Sequence, residues 1–431
     1  MNLVGAARLP RPKTPSQASP WVSTRGALCA ILAAAFILRA LIVVVLRQKQ
    51  THDSRVFVSW AHLLMQYGSG GLYTHVDTVD HYPVNYPPAF GLILQAVVAA
   101  YRLIPHALQN DVVLAMLLKL PAIAADLVLC CLVFAIVRRW AGDGRALTSA
   151  AIAAFAPSTW PISAMWGQVD SIAATLMVGS LALAMSRRFV LAWAALALAV
   201  LVKPLPVVIA PLLLVAQLVD EGPSLRLALG PALSVVVAYV VSLPFVPTAA
   251  PVGVLRWLAG RVAGQALSDS TSVNAYNVWT AMASPVRDSI VFAGMSLQTW
   301  GWLAFSAFTA VTTAVSFARA RRERDPCARE RLLAVGAFAV LVALFALLTR
   351  MHERYILFAL ALAPLVWQCG LQQRRVASIL IATFTICVVL VLGFYEHGVF
   401  PELQLVTHAL SLVNVGALVA LAVAFWRRPA R

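Results

Sequence analysis

Apolar runs of roughly 15 to 25 residues recur from Gly26 to Trp426, separated by short polar turns. A bilayer core takes about 20 apolar residues to cross, and a backbone deprived of water must satisfy its own hydrogen bonds. Such a chain folds as a bundle of membrane helices. Charge agrees, because only 12% of the 431 residues are charged, against about 25% in a soluble domain. The expected fold class is all-α and polytopic, with about 11–13 transmembrane helices.

Spans are expected near 26–47, 113–137, 146–163, 169–186, 189–202, 204–219, 226–244, 295–318, 332–349, 354–368, 376–394 and 406–426. Pro204 follows Lys203 inside a long apolar run, and two short helices meeting there explain it better than one kinked helix. Residues 1–25 read as a disordered cytoplasmic tail, and 26–431 as one membrane-embedded domain roofed by outer loops 48–112 and 245–294. The first apolar run lacks a convincing small-residue cleavage site, so it is expected to stay as a helix.

The net charge of +16 does not point to nucleic acid. Basic residues gather in short loops: Arg138 and Arg139, Arg187 and Arg188, the stretch Arg319 to Arg331, Arg374 and Arg375, Arg427 and Arg428. Such clusters orient helices with their positive loops inside. All of them share the side of the N-terminal tail only if Pro88 to Ile104 does not cross, so that segment is expected to be interfacial or re-entrant. Val56, Phe57, Trp60, Leu63, Leu64 and Tyr67 form one apolar stripe, expected on a helix lying along the membrane surface. The six cysteines show no CxxC spacing, so neither a disulfide framework nor a metal site is expected.

With that topology the polar segments share the extracytoplasmic face. They are Thr51-His52-Asp53-Ser54, Asn85-Tyr86-Pro87-Pro88, Trp166-Gly167-Gln168-Val169-Asp170, Lys203, Ser272 to Asn277, and Arg350 to Tyr355. Each also has a plainer role open to it. Asp53 suits a helix N-cap, Pro87-Pro88 a helix entry, and Asp170 a helix dipole. Lys119 and Asp126, seven apart on one helical face, suit an intramembrane ion pair. The Arg350–Tyr355 run could anchor lipid headgroups. Equally, its Arg350, His352 and Arg354, with Lys203 near, suit a phosphate, and Trp166 with Gln168 offers a sugar platform.

In their order, the His-Asp, Asn-Tyr-Pro-Pro, Trp-Gly-Gln-x-Asp, Lys-Pro, Ser-x-Asn-Ala-x-Asn and Arg-Met-His-Glu-Arg-Tyr segments resemble the GT-C superfamily of integral-membrane glycosyltransferases. The likeness runs from about residue 30 to 370. More closely, they resemble bacterial relatives of the mannosyltransferase that adds the second mannose in GPI-anchor assembly. The resemblance implies an inverting enzyme of the cell inner membrane, using a polyprenyl-phosphate sugar as donor and a lipid or glycan acceptor. It implies Asp53 as catalytic base. His52, Tyr86, Trp166, Gln168, Asp170, Asn274 and Asn277 are expected to bind substrate, and Lys203, Arg350, His352 and Arg354 the donor phosphate. Many members carry two acidic residues where this chain has His52-Asp53; no metal or other cofactor is expected. The alternatives are an O-antigen-type polymerase or ligase, and a transporter of lipid-linked sugars. A transporter tends to show repeated halves and midplane sites, whereas this chain shows no internal repeat.

Overall fold

The computed structural model describes residues 20–76, 82–263, 268–283, 285–393 and 404–427. Residues 1–19 of the expected tail lie outside them, and α1 (Pro20–Val45) already begins inside the remainder of that tail. The chain continues through α2 (His52–Gly71), α3 (Pro88–Arg102), α4 (Asp111–Ala141), α5 (Asp143–Phe155), α6 (Asp170–Met185), α7 (Phe189–Val202), α8 (Ala210–Glu221) and α9 (Arg226–Ser242). Then follow α10 (Pro251–Ala263), α11 (Val278–Met282), α12 (Leu297–Ala320), α13 (Pro326–Leu347), the short α14 (Leu357–Leu360) and α15 (Ala363–Val366), α16 (Leu371–Gly393) and α17 (Gln404–Trp426). Two-residue strands β1 (Ser272–Val273), β2 (Val291–Phe292), β3 (Met295–Ser296) and β4 (Met351–His352) lie among the loops, β1 pairing parallel with β4 and β2 antiparallel with β3.

The protein is an all-α polytopic membrane protein. Among the described residues seven helices are long and apolar enough to cross a bilayer, within α1, α4, α9, α12, α13, α16 and α17. The other expected spans appear as shorter pieces: α5 with 13 residues, α6 with 16, α7 with 14 and α8 with 12. The stretch expected at 354–368 is a 3-10 turn followed by α14 and α15. The break at Pro204 stands where the sequence places it. Proline cannot supply the amide that continues α7, and a 3-10 turn over Leu205–Ile209 leads into α8.

At the centre lies α13, buried all round from Leu333 to Ala346, as expected of a helix that is apolar on every face. The 15 residues of α3 are too few for a crossing of about 20. Phe90 and Leu94 are enclosed, and α3 packs against α2, α4, α7 and α9. That corrects the reading of the α2 stripe. Val56, Phe57, Trp60, Leu63 and Leu64 are buried in protein, with Phe57 and Trp60 each against Phe90, and only Tyr67 is exposed.

The expected Lys119–Asp126 pair is corrected too. Asp126 accepts from Arg39 of α1 at 2.8 Å, the two side chains being 1% and 0% exposed. Lys119 donates instead to the Met165 carbonyl at 3.1 Å. Seven residues is two helical turns, about 10 Å of rise, and each side chain has a nearer partner across a helix interface.

The basic clusters knit one end of the bundle. There Arg138 and Thr24 hold Asp143, Arg139 and Trp140 hold Glu330, Arg187 and Arg329 flank Asp220, and Arg319 donates to the Trp426 carbonyl. These are the starts of α1, α5 and α13 and the ends of α4, α6, α8, α12 and α17. The opposite ends of α1, α6, α7 and α13 lead into the polar motifs.

Candidate active site

Four chain segments meet there, joined by Tyr86 from a fifth. The first is the start of α2. Thr51, not Asp53, is its N-cap, with an extended backbone (φ −68°, ψ 162°) and Oγ1 accepting from the Ser54 amide. Asp53 in the first turn is thus spared the capping role, and its side chain stays 26% exposed.

The second segment is a π-helical turn, Pro161–Trp166, ended by Gly167 in the left-handed region at φ 76°. A β-carbon on Gly167 would stand 3.2 Å from Lys119 Cγ. Gly167→Ala is therefore expected to cost about 1–2 kcal/mol from the backbone alone, read as a fall in the thermal unfolding midpoint; an unchanged midpoint would refute the strain. The turn delivers Gln168, fully buried, to Asp53: Nε2 donates to Oδ2 at 2.5 Å. Tyr86, from the segment before α3, donates its hydroxyl to Gln168 Oε1 at 3.0 Å. Its ring lies edge-on to Phe57, Trp60 and Phe90.

The third is the end of α7. Lys203 Nζ lies 2.7 Å from Asp170 Oδ1 and donates to Oδ2 at 2.9 Å, both side chains buried. The ring faces of Tyr355 and Tyr86 lie 4.8 and 5.2 Å from its ammonium. Lys203 is closed into an ion pair, and its charge acts through space.

The fourth follows α13. Arg354 Nη1 stands 3.5 Å from Asp53 Oδ2 and 3.2 Å from Glu353 Oε1, with the guanidinium 5.7 Å from the Trp166 ring centre. Its Nε–H is buried without a hydrogen-bond partner among the described residues. Burial by itself would push the Asp53 carboxyl up, but the charges of Arg354 and Lys203 outweigh it and hold it below its ordinary value. Burial, with Arg354 and Lys203 near, drives His352 down to about 3, so its imidazole is neutral. Burial also pushes the Glu353 carboxyl up.

The structure therefore brings together Asp53, Tyr86, Trp166, Gln168, Asp170, Lys203, His352 and Arg354, and His52 belongs to the same electrostatic surroundings. Arg350 stands apart. Held at φ 61°, it makes a two-pronged ion pair with Asp288, at 2.6 and 3.1 Å, in the second outer loop. Asn277 is consumed in capping α11, accepting from the Thr280 amide, and in donating to the Leu348 carbonyl. Asn274 carries a left-handed backbone, φ 56°, bridged to His352. These three shape the roof that carries the His352–Arg354 turn. Glu353 and Tyr355 belong to the group without having been singled out, although both lie within the Arg350–Tyr355 run. Asp288 carried no local signal.

No family model matches the chain, and no curated protein matches it. Among solved structures, the chain is similar to ArnT from Cupriavidus metallidurans bound to undecaprenyl phosphate: 17% identity, TM-score 0.46, covering 95% of this chain and 77% of that one. It is also similar to the same protein in the apo state, at 18% identity and TM-score 0.44, covering 91% and 76%.

Proposed function

We propose that the chain is an inverting glycosyltransferase of the GT-C kind, moving a hexose, mannose first, from a polyprenyl-phosphate sugar to a hydroxyl of a lipid or glycan acceptor. The observation that carries this is one juxtaposition. An ionised, partly exposed Asp53 sits beside a buried Arg354 whose Nε–H finds no acceptor among the described residues. Buried donors in native proteins are nearly always satisfied, and a phosphate oxygen suits a guanidinium best. The acceptor oxygen attacks the anomeric carbon, its proton passes to Asp53, and the bond from that carbon to the phosphate oxygen breaks. Polyprenyl phosphate leaves with the negative charge, which Arg354 stabilises with Lys203 behind it; neutral His352 adds an N–H donor. The site end opposes the basic end, which by the positive-inside rule supports an extracytoplasmic site.

The test is transfer by the purified protein from a panel of labelled polyprenyl-phosphate sugars, with membrane lipids as acceptor. One donor is expected to be consumed with release of polyprenyl phosphate and inversion at the anomeric carbon. Consumption of lipid-diphosphate donors alone would move the reading to a polymerase or ligase. Consumption of none, with movement of intact donor between leaflets, would move it to a transporter. The base must be ionised and its carboxyl is held low, so activity is expected to persist below the usual carboxylate range of about 4 before falling with acid.

A further inference from the structure

The Asp53 carboxylate is held by one oxygen only. Gln168 Nε2 donates to Oδ2, and Arg354 Nη1 approaches that same atom. No described residue hydrogen-bonds Oδ1, although the side chain is only 26% exposed. Which end of the Gln168 amide faces Asp53 is decided by its other neighbour, because an amide offers two donors at one end and an acceptor at the other. The Tyr86 hydroxyl donates to Oε1 at 3.0 Å. That turns the NH2 end toward the carboxylate. The reverse flip would set the amide oxygen against a carboxylate oxygen, lone pair to lone pair, in a buried setting where such a contact is costly.

We propose, on the reading of Asp53 as the base, that Tyr86 and Gln168 are positioning residues and not sugar contacts: their hydrogen-bond chain fixes the carboxyl so that Oδ1 is the atom that takes the acceptor's proton. The surrounding framework suits that task. Thr51 Oγ1 donates to the Trp166 carbonyl at 3.1 Å while capping α2, so it ties the turn before Gln168 to the turn that bears Asp53. From below, Lys119 holds the Met165 carbonyl, and the Gln168 amide closes back onto the Ile162 carbonyl at 2.9 Å. Gln168 cannot move without both attachments moving. Tyr86 keeps its ring in place against Phe57, Trp60 and Phe90, so removing the hydroxyl alone leaves the packing in place.

The titratable groups facing Asp53 are Arg354, Glu353, His352 and Tyr355 after α13, Lys203 at the end of α7, His52 on its own helix, and Tyr86. Tyr86→Phe and Gln168→Leu remove no formal charge. A change in Asp53 titration in these variants therefore reads the hydrogen-bond chain. The measurement uses the full chain in lipid nanodiscs. Asp53 is modified with a carbodiimide, which reacts with the protonated carboxyl, and the extent is followed against pH by peptide mass spectrometry. Gln168→Leu is expected to raise the half-modification pH by about one unit, because one hydrogen bond to the charged form is lost. Tyr86→Phe should shift it the same way by less. Under transfer conditions kcat should drop about tenfold, the acid limb should move with the labelling curve, and KM for the donor should stay within about twofold.

A donor KM that rises severalfold while Asp53 titrates unchanged would overturn the proposal and return both residues to sugar binding. The two readings fail separately. Shifted labelling in a protein that transfers no sugar upholds the positioning chain and removes the transferase. Active transfer with unshifted labelling does the opposite. Should Gln168→Leu not fold, Tyr86→Phe decides alone.

Discussion

Replacing Asp53 by Asn is expected to lower kcat for sugar transfer by about 10²- to 10⁴-fold, the span that one general base contributes. The substitution is nearly isosteric, and the local structure does not lean on the carboxylate. The α2 cap is Thr51, so the helix start survives. An amide oxygen at position 53 can still accept from Gln168, and Arg354 keeps Glu353 as its partner. What Asn lacks is an oxygen able to take a proton. The thermal unfolding midpoint should therefore stay within a few degrees of the parent's, corresponding to about 1 kcal/mol or less, and donor KM should change little. Kinetics with the preferred donor, beside a melting curve in the same nanodiscs, measure both. An Asn variant turning over within about threefold of the parent would remove Asp53 as base. A variant that melts far lower would show that the carboxylate's main task is to neutralise Arg354.

The sequence revealed what is local and periodic. The Pro204 break was readable because proline's missing amide acts on its own helix. The grouping of Asp53, Gln168, Lys203 and Arg354 was readable because each ends or begins a span on one side of the bundle, so topology alone put them at one end. Long-range partners were not readable. Lys119 and Asp126 share a helical face, yet Asp126's ion-pair partner is Arg39, 87 residues earlier. Arg350 and Arg354 look equivalent in one short run. A single turn of chain sends the first to Asp288 in the second outer loop and the second to Asp53. The α2 stripe was read as that of a helix lying along the membrane surface because periodicity shows that a face is apolar but not what covers it. Asn277 had the same ambiguity: an Asn before a short helix is a cap or a ligand, and only the Thr280 amide at 3.1 Å decides.

Arg39 offered a signal of its own, a charge in mid-span, where ionisable residues are costly unless paired. The pair it makes underlies the site. Arg39 donates through Nε to Asp126, through Nη1 to the Ala35 and Ala154 carbonyls, and through Nη2 to Thr159. Asp126 also accepts from Ser163 at 2.6 Å, inside the π-helical turn that delivers Gln168. One network thus fastens α1, α4 and the end of α5 to the turn beneath the candidate base. Arg39→Leu leaves a carboxyl stranded in an apolar interior and is expected to cost about 3–5 kcal/mol. Asp126→Leu should cost a similar amount by stranding the guanidinium. In the double variant no charge is left unpaired, so its loss should be well below the sum of the singles, a coupling of roughly 1–3 kcal/mol. Unfolding equilibria of the four proteins give the cycle, and transfer rates in the same preparations give its consequence. If the turn depends on the pair, the double variant recovers stability more fully than activity, because Ser163 has still lost its bond to Asp126 and Thr159 its bond from Arg39. Additive losses across the cycle would refute the network, and an Arg39→Leu protein as stable as the parent would show that the bundle closes around Asp126 without it.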